Sequence, residues 1–310
     1  MADEVEIWGG GVNTWECDEM GHLNVRFWGA KGLEALAGLV RLMGMPDAFQ
    51  DRSGSTVLIQ EQHIRFLREA RAGAWLFATG GIVEMGETDA RLMIVLHHAN
   101  GDPAVTFQLR VSHVTADDLR PFPWSARVRE TSTTLMMQVP AFATPRGINL
   151  DPVAQTGASL EQAQAYDLMR IGMGTIQSHE LDGFGRMRAE MFLGRVSDGI
   201  SRFFGEERAG PELAPGEPAK RIGGAVLEYR ILHHDWPRAG EHVEIRSGLA
   251  ESSSRIRRGV HWMLDPVSGK PWVTSEAVAV NFDLDARKVV DINAAAQADY
   301  AARVVPGLGL

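Results

Sequence analysis

Residues 15–28 read WECDEMGHLNVRFW, and this stretch decides how the rest of the chain divides. Glu16, Asp18 and Gly21 stand at the spacing Glu-x-Asp-x-x-Gly, and apolar residues at helical intervals follow them. The same spacing returns in ELDGFG, residues 180–185, an offset of 164 positions. The flanks repeat too. Gly10, Val12 and Thr14 face Gly174, Ile176 and Ser178, while Val25, Trp28, Leu36, Leu39 and Val40 face Ala189, Phe192, Ile200, Phe203 and Phe204. An RAG tripeptide at 71–73 recurs at 238–240 and sets Glu61 in VLIQEQHIRF opposite Glu228. That offset is 167, so a small insertion separates the two anchors. NGDPAV at 100–105 and VSGKPWV at 267–273 give a third match, a turn entering a last strand. Self-similarity of this kind predicts two copies of one supersecondary unit.

The first copy should carry a helix from near Asn24 to Met43, ending around Gly44 and Pro46, then strands at 55–69, 74–85, 90–99 and 103–115. The second should carry a helix near 187–204, a Pro/Gly-rich loop at 209–218, and strands across 220–234, 241–251, 255–265 and 271–283. Residues 116–170 between them are Pro-rich and irregular. A helical segment is expected at 125–139, where LMM at 135–137 reads as packing. A short helix should open at Ser159, which has Gln162 at capping-box spacing. One helix followed by four or five strands is an α+β pattern. The expected division is a first unit at 1–125, a linker with short helices at 126–170 and a second unit at 171–310.

Composition narrows the function. The 310 residues are 45% hydrophobic and 23% charged, ordinary for a globular chain. A formal charge of -9 disfavours nucleic-acid binding, which needs clustered Lys and Arg. The single cysteine, Cys17, excludes a disulfide framework and a Cys-rich metal site. No apolar run approaches the roughly 20 residues that span a bilayer, and MADEVEIWGGG lacks a signal pattern. A cytoplasmic protein without a membrane span is expected. The pairs His97–His98 and His233–His234 lack metal-binding spacing, Gly9–Gly11 opens no phosphate-binding turn, and no Gly-x-Ser-x-Gly elbow appears.

The stretch 15–28 resembles the active-site turn of hotdog-fold thioesterases of the 4-hydroxybenzoyl-CoA thioesterase-like superfamily, in which an Asp precedes Gly-His-x-Asn and the central helix. EQHIRFLREARAG, residues 61–73, resembles the second strand of the same proteins. The resemblance covers residues 5–115 most strongly and 171–292 more weakly. It implies two hotdog units, each a long central helix wrapped by a curved antiparallel sheet, paired as an intrachain pseudo-dimer. It also implies an acyl-CoA thioesterase without metal or cofactor, and is compatible with an oligomer of such pseudo-dimers.

Within that resemblance Asp18, His22, Asn24 and Glu61 are the catalytic candidates. Asp18 precedes a helix N-terminus, where unpaired backbone N–H groups and the positive dipole end could polarise a thioester carbonyl. Its carboxylate could act as base on water or attack directly; the plain alternative is a turn residue bonding its own backbone. His22 could contact substrate or orient Asp18, and Asn24 is equally a favoured N-cap. Gly21, Leu23 and Val25 would line the carbonyl, with backbone N–H groups near 22–25 as the oxyanion site. Glu61 reads equally as a site carboxylate or as one half of a repeated structural pair with Glu228. Cys17 alternates away from Asp18 and reads as a small buried hydrophobe.

The second copy keeps Asp182 and Glu228 but has Arg186 and Arg188 where the first has His22 and Asn24. It reads as degenerate, with its arginines either contacting CoA phosphates or forming a solvated basic turn. Three alternatives remain. One is a hotdog hydratase or dehydratase, disfavoured because Asp18 and His22 lie four apart with no Pro between them. Another is a plant-type acyl-ACP thioesterase, disfavoured because its motif falls in the second copy. The last is a non-catalytic acyl-CoA-binding protein.

Overall fold

The computed structural model describes residues 5–153, 156–205, 210–213 and 220–310. The chain separates into two compact units. Unit 1 is Met1–Pro145, Gln177–Gly194 and Trp236–Ala239; unit 2 is Arg146–Ile176, Arg195–Asp235 and Gly240–Leu310. The boundaries drawn from the repeat divide the chain in sequence order, whereas these units follow packing and interleave along the chain.

Unit 1 contains β1 (Glu6–Gly11), α1 (Val25–Leu42), β2 (Ser55–Phe66), β3 (Trp75–Met85), β4 (Asp89–His98), β5 (Pro103–Thr115) and α2 (Ala126–Ser132). Its strands form an antiparallel sheet in the order β1-β3-β4-β5-β2. Asn24 caps α1, its Oδ1 accepting the Arg26 N–H at 2.9 Å, and the helix stops at Gly44 with φ +96°. The helix lies directly on the sheet. A Cβ at Gly32 would sit 2.8 Å from the Phe107 ring, and one at Gly38 would collide with the Ile7 carbonyl oxygen. Leu36, Leu39 and Val40 are buried in the contact.

Unit 2 contains α3 (Leu160–Ala165), β6 (Met169–Thr175), most of α4 (Glu190–Phe204), β7 (Ile222–His233), β8 (His242–Ser252), β9 (Ile256–Leu264), β10 (Pro271–Asp283), β11 (Lys288–Val290) and α5 (Ala294–Ala302). The order β6-β8-β9-β10-β7 repeats that of unit 1, with β11 added beside β10. The expected α+β pattern is present in both copies, and β2 and β7 match residue for residue at an offset of 167. Bulges recur at matching places. The register shifts at Gln60 before Glu61 and at Leu227 before Glu228, then at Val83 and at Ala250.

Two expectations are corrected. The second helix starts at Glu190, not near 187, because Met187 still belongs to the preceding hairpin, bridging Leu181 and donating its N–H to Pro237 O at 2.8 Å. β11 and α5 were not anticipated. Much of the loop expected at 209–218 lies outside the described residues; Gly210–Leu213 have no regular structure.

The segment after β5 is strapped to the sheet faces that point away from the helices. In unit 1, Met137, Val139 and Ala143 pack on Val83, Met93 and Val95, and Arg65 donates to the carbonyls of Phe142 (2.6 Å) and Thr144 (2.8 Å). Met137 thus packs as expected of LMM, but Met136 is exposed. In unit 2, Ala158, Ala163 and Leu168 pack on Val260, Trp262 and Leu264. There Arg230 donates to Asn149 O and Asp151 O at 2.7 and 2.8 Å.

Candidate active site

The motif folds as a tight hairpin that delivers the chain into α1. Gly21 N donates to Asp18 O at 3.0 Å, Asp18 N donates to His22 O at 2.8 Å, and Cys17 bridges Leu23. Asp at the first position of such a turn and Gly at the fourth are the residues its geometry favours. Gly21 has φ +76°. Asp18 Oδ1 accepts the N–H groups of Met20 (2.9 Å) and His22 (3.0 Å). Glu16 caps the short turn at Thr14–Glu16 by accepting the Asn13 N–H at 2.8 Å, and it pairs with buried Lys31 at 2.9 Å. All three motif residues therefore have local structural work.

The second copy reproduces the hairpin and turn contacts. Asp182 Oδ1 accepts from Phe184 N (2.8 Å) and Arg186 N (3.0 Å), Gly185 has φ +75°, and Glu180 accepts from Gln177 N at 2.7 Å. The difference lies in the other carboxylate oxygen. Arg186 Nε and Nη2 both reach Asp182 Oδ2 at 3.2 Å. Asp18 Oδ2 has no protein partner among the described residues.

His22 is buried, and its Nε2 lies 2.9 Å from Arg71 Nη2 and 3.2 Å from Glu69 Oε2. That nitrogen accepts from Arg71 when it lacks a proton and donates to Glu69 when it carries one, so the two contacts exclude each other. Sequence reading gave no role to Glu69 or Arg71, although Arg71 opens the RAG anchor that aligned the copies and Glu69 stands two positions before it. Of the N–H groups expected near an oxyanion, His22 N is held by Asp18, Leu23 N donates to Ala70 O at 2.8 Å, and Asn24 N donates to Glu16 O at 2.9 Å. Val25 N, in the first turn of α1, is the remaining member of that set.

Glu61 follows the bulge on β2 and stands opposite Arg110, on the face that carries His63 and Arg65. Phe107, which touches α1, stands opposite Ile64 on the other face. Glu61 therefore points away from α1. Its counterpart Glu228 is 3% exposed and accepts the N–H groups of Arg146 (3.1 Å) and Gly147 (2.8 Å), so it holds the strap. Cys17 is half-buried rather than buried.

Arg186 is also 3% exposed, engaged with Asp182 and lying over the Phe184 ring at 4.7 Å. Arg188 reaches Glu190 at 3.1 Å while its side chain stays 40% exposed. Glu190, another residue sequence reading missed, takes Arg26's place in the repeat, and that charge reversal is the signal that could have found it. Burial raises its pKa above the ordinary value, opposed chiefly by Arg188. No helix is long and apolar enough to cross a membrane, and no group of three or more potential metal ligands occurs, among the described residues.

A family model described as "Thioesterase-like superfamily" matches residues 12–131 and again 176–299. A Lactobacillus plantarum structure assigned as an oleoyl thioesterase aligns with TM-score 0.67 at 10% identity, covering 90% of this chain and 97% of that one. An acyl-ACP thioesterase from Bacteroides thetaiotaomicron aligns with TM-score 0.60 at 9% identity, covering 88% and 96%. The 12:0-ACP thioesterase from Umbellularia californica aligns with TM-score 0.61 at 9% identity, covering 88% and 93%. No curated protein sequence matches the chain.

Proposed function

The chain belongs to the thioesterase-like superfamily and carries the hotdog fold twice, and from that premise we propose that it hydrolyses an acyl-CoA, or a related thioester, to a free acid and a thiol. The observation that carries this reading is the asymmetry of the Asp18 carboxylate. One oxygen is fixed by two backbone N–H groups just ahead of α1, and the other has no protein partner among the described residues. A carboxylate so oriented suits general-base work, because its reactive oxygen needs no reorganisation.

In this reading Asp18 Oδ2 takes a proton from water, and the hydroxide forms a C–O bond to the thioester carbonyl. The oxyanion forms at the N-terminus of α1, with Val25 N as donor and the dipole end behind it. The C–S bond then breaks, and the thiolate takes up the proton. Attack by Asp18 itself, through an acyl-enzyme anhydride opened by water, gives the same products. Asn24 holds the helix end, and His22 fixes the hairpin to Arg71 or to Glu69, one at a time. Arg188 is the arginine proposed to meet CoA phosphates, since Arg186 is engaged by Asp182.

The test is thiol release over a panel of acyl-CoA and acyl-carrier-protein thioesters. Asp18→Asn should lower kcat by roughly 10²–10⁴-fold with an unchanged melting temperature, because an Asn oxygen still accepts both backbone N–H groups. Undiminished turnover in that variant would sink the assignment. Wild-type protein that binds acyl-CoA but releases no thiol would favour the non-catalytic binder.

A further inference from the structure

Glu190 opens α4 and belongs to unit 1. Its side chain is 3% exposed, and Oε2 has no hydrogen-bond partner. Oε1 lies 3.1 Å from Arg188 Nε, yet that nitrogen makes no hydrogen bond, so the pair is close without being aligned. Gly29 makes room for it, since a Cβ there would stand 2.9 Å from Glu190 Cβ. Across the same contact, a Cβ at Gly194 would stand 2.7 Å from Arg26 Cδ. The opening turns of α1 and α4 thus touch, with Glu190 against the stretch of α1 that begins next to Val25. A helix cap alone does not explain this group. Burying a carboxyl with an unbonded oxygen is costly, and α1 is capped by Asn24 without that cost.

We propose that Glu190 is a positioning residue for the hydrolysis described above, acting through the N-terminus of α1: as a neutral carboxyl it leaves that helix end and Arg26 at full positive strength, and as a carboxylate it weakens both. The inference rests on the thioesterase reading. The groups facing Glu190 are Arg188 and Arg26, which favour its charged form, and Glu34, which disfavours it; burial outweighs them in favour of the neutral form. A negative charge packed against the helix that presents Val25 N opposes an oxyanion developing at its N-terminus. The rate should therefore be higher on the acid side of the Glu190 titration.

The experiment is kcat for thiol release at saturating thioester across pH, for wild type, Glu190→Gln and Glu34→Gln. Wild type should lose roughly three- to tenfold in kcat through one alkaline transition. Glu190→Gln should hold the acid-side rate through that range with KM unchanged. Glu34→Gln removes a like charge, so the transition should move to lower pH. A Glu190→Gln profile that superimposes on wild type, or that falls equally at every pH, overturns the proposal. If Glu190→Gln does not fold, an unmoved transition in Glu34→Gln overturns it alone. Wild type that releases no thiol from any thioester defeats the hydrolysis reading and this one with it, whereas an active wild type with an unaltered Glu190→Gln profile defeats only the role of Glu190.

Discussion

Asp18 and Asp182 occupy the same hairpin and differ in one neighbour. Arg186 reaches the outer oxygen of Asp182 at 3.2 Å, so the oxygen that would take a proton from water is already occupied. Asp182→Asn should therefore cost far less activity than Asp18→Asn on the same thioester, with folding checked by thermal melting; comparable losses would mean that both copies catalyse. Gly21 is required by its backbone, not its surroundings, for a Cβ there would meet nothing within 4 Å. Gly21→Ala should cost about 1–2 kcal/mol from the positive φ alone, read by urea denaturation. Glu190 gives a stability effect with a definite sign. Burial raises its folded pKa, so its contribution is fully present below the unfolded value and is lost as pH rises through the folded one. Glu190→Gln should raise the melting temperature above that window, by roughly 2–4 °C for about 1 kcal/mol, and give no gain below it. Thermal melts across pH check this, and a gain that persists in acid contradicts it.

At the level of elements, α1 and α4 begin differently. Asn24 caps α1, whereas Arg188 at the matching place has no side-chain acceptor. Asn24→Ala should destabilise by about 0.5–2 kcal/mol, and a smaller loss in chemical denaturation would mean that another group takes over the cap. The helix-to-strand contact is tighter still. Gly38→Ala drives a methyl into the Ile7 carbonyl oxygen and should cost about 3 kcal/mol or more. Much of this was readable in the chain. The Glu-x-Asp-x-x-Gly spacing announces a turn because each residue makes a contact within four positions that shapes it, and Asn24, Gly44 and the apolar intervals bound α1 closely. The direction of Glu61 was not readable, because the bulge at Gln60 resets the alternation on which such a reading depends. The start of α4 was missed because Met187 is claimed by Pro237, fifty positions away. Glu190 stayed hidden because its meaning lies in its contact with Gly29, which no local pattern encodes.

Over the whole molecule, the copies keep one strand order while changing their connections. From Gly44 to the start of β2 at Ser55 is a shorter path than from Gly205 to the start of β7 at Ile222, while α4 has 15 residues against 18 in α1. The change in offset from 164 to 167 is the balance of a trimmed helix and a lengthened loop. The strap depends on a few long-range bonds, of which Glu228 supplies two through Arg146 N and Gly147 N. Glu228→Ala removes both acceptors and should speed limited proteolysis between residues 146 and 157; an unchanged cleavage rate would mean that Arg230 and the apolar contacts suffice. The matched bulges at Gln60 and Leu227 bear on how such a gene can change. A crossover between its halves within β2 and β7 would join segments of equal length whose inward and outward residues stay in phase. Recombination can therefore shuffle the two strands freely, and deletion of the single codon for Gln60 would only close the bulge, whereas insertion of one codon after Glu61 would throw every residue on one side of it to the opposite face.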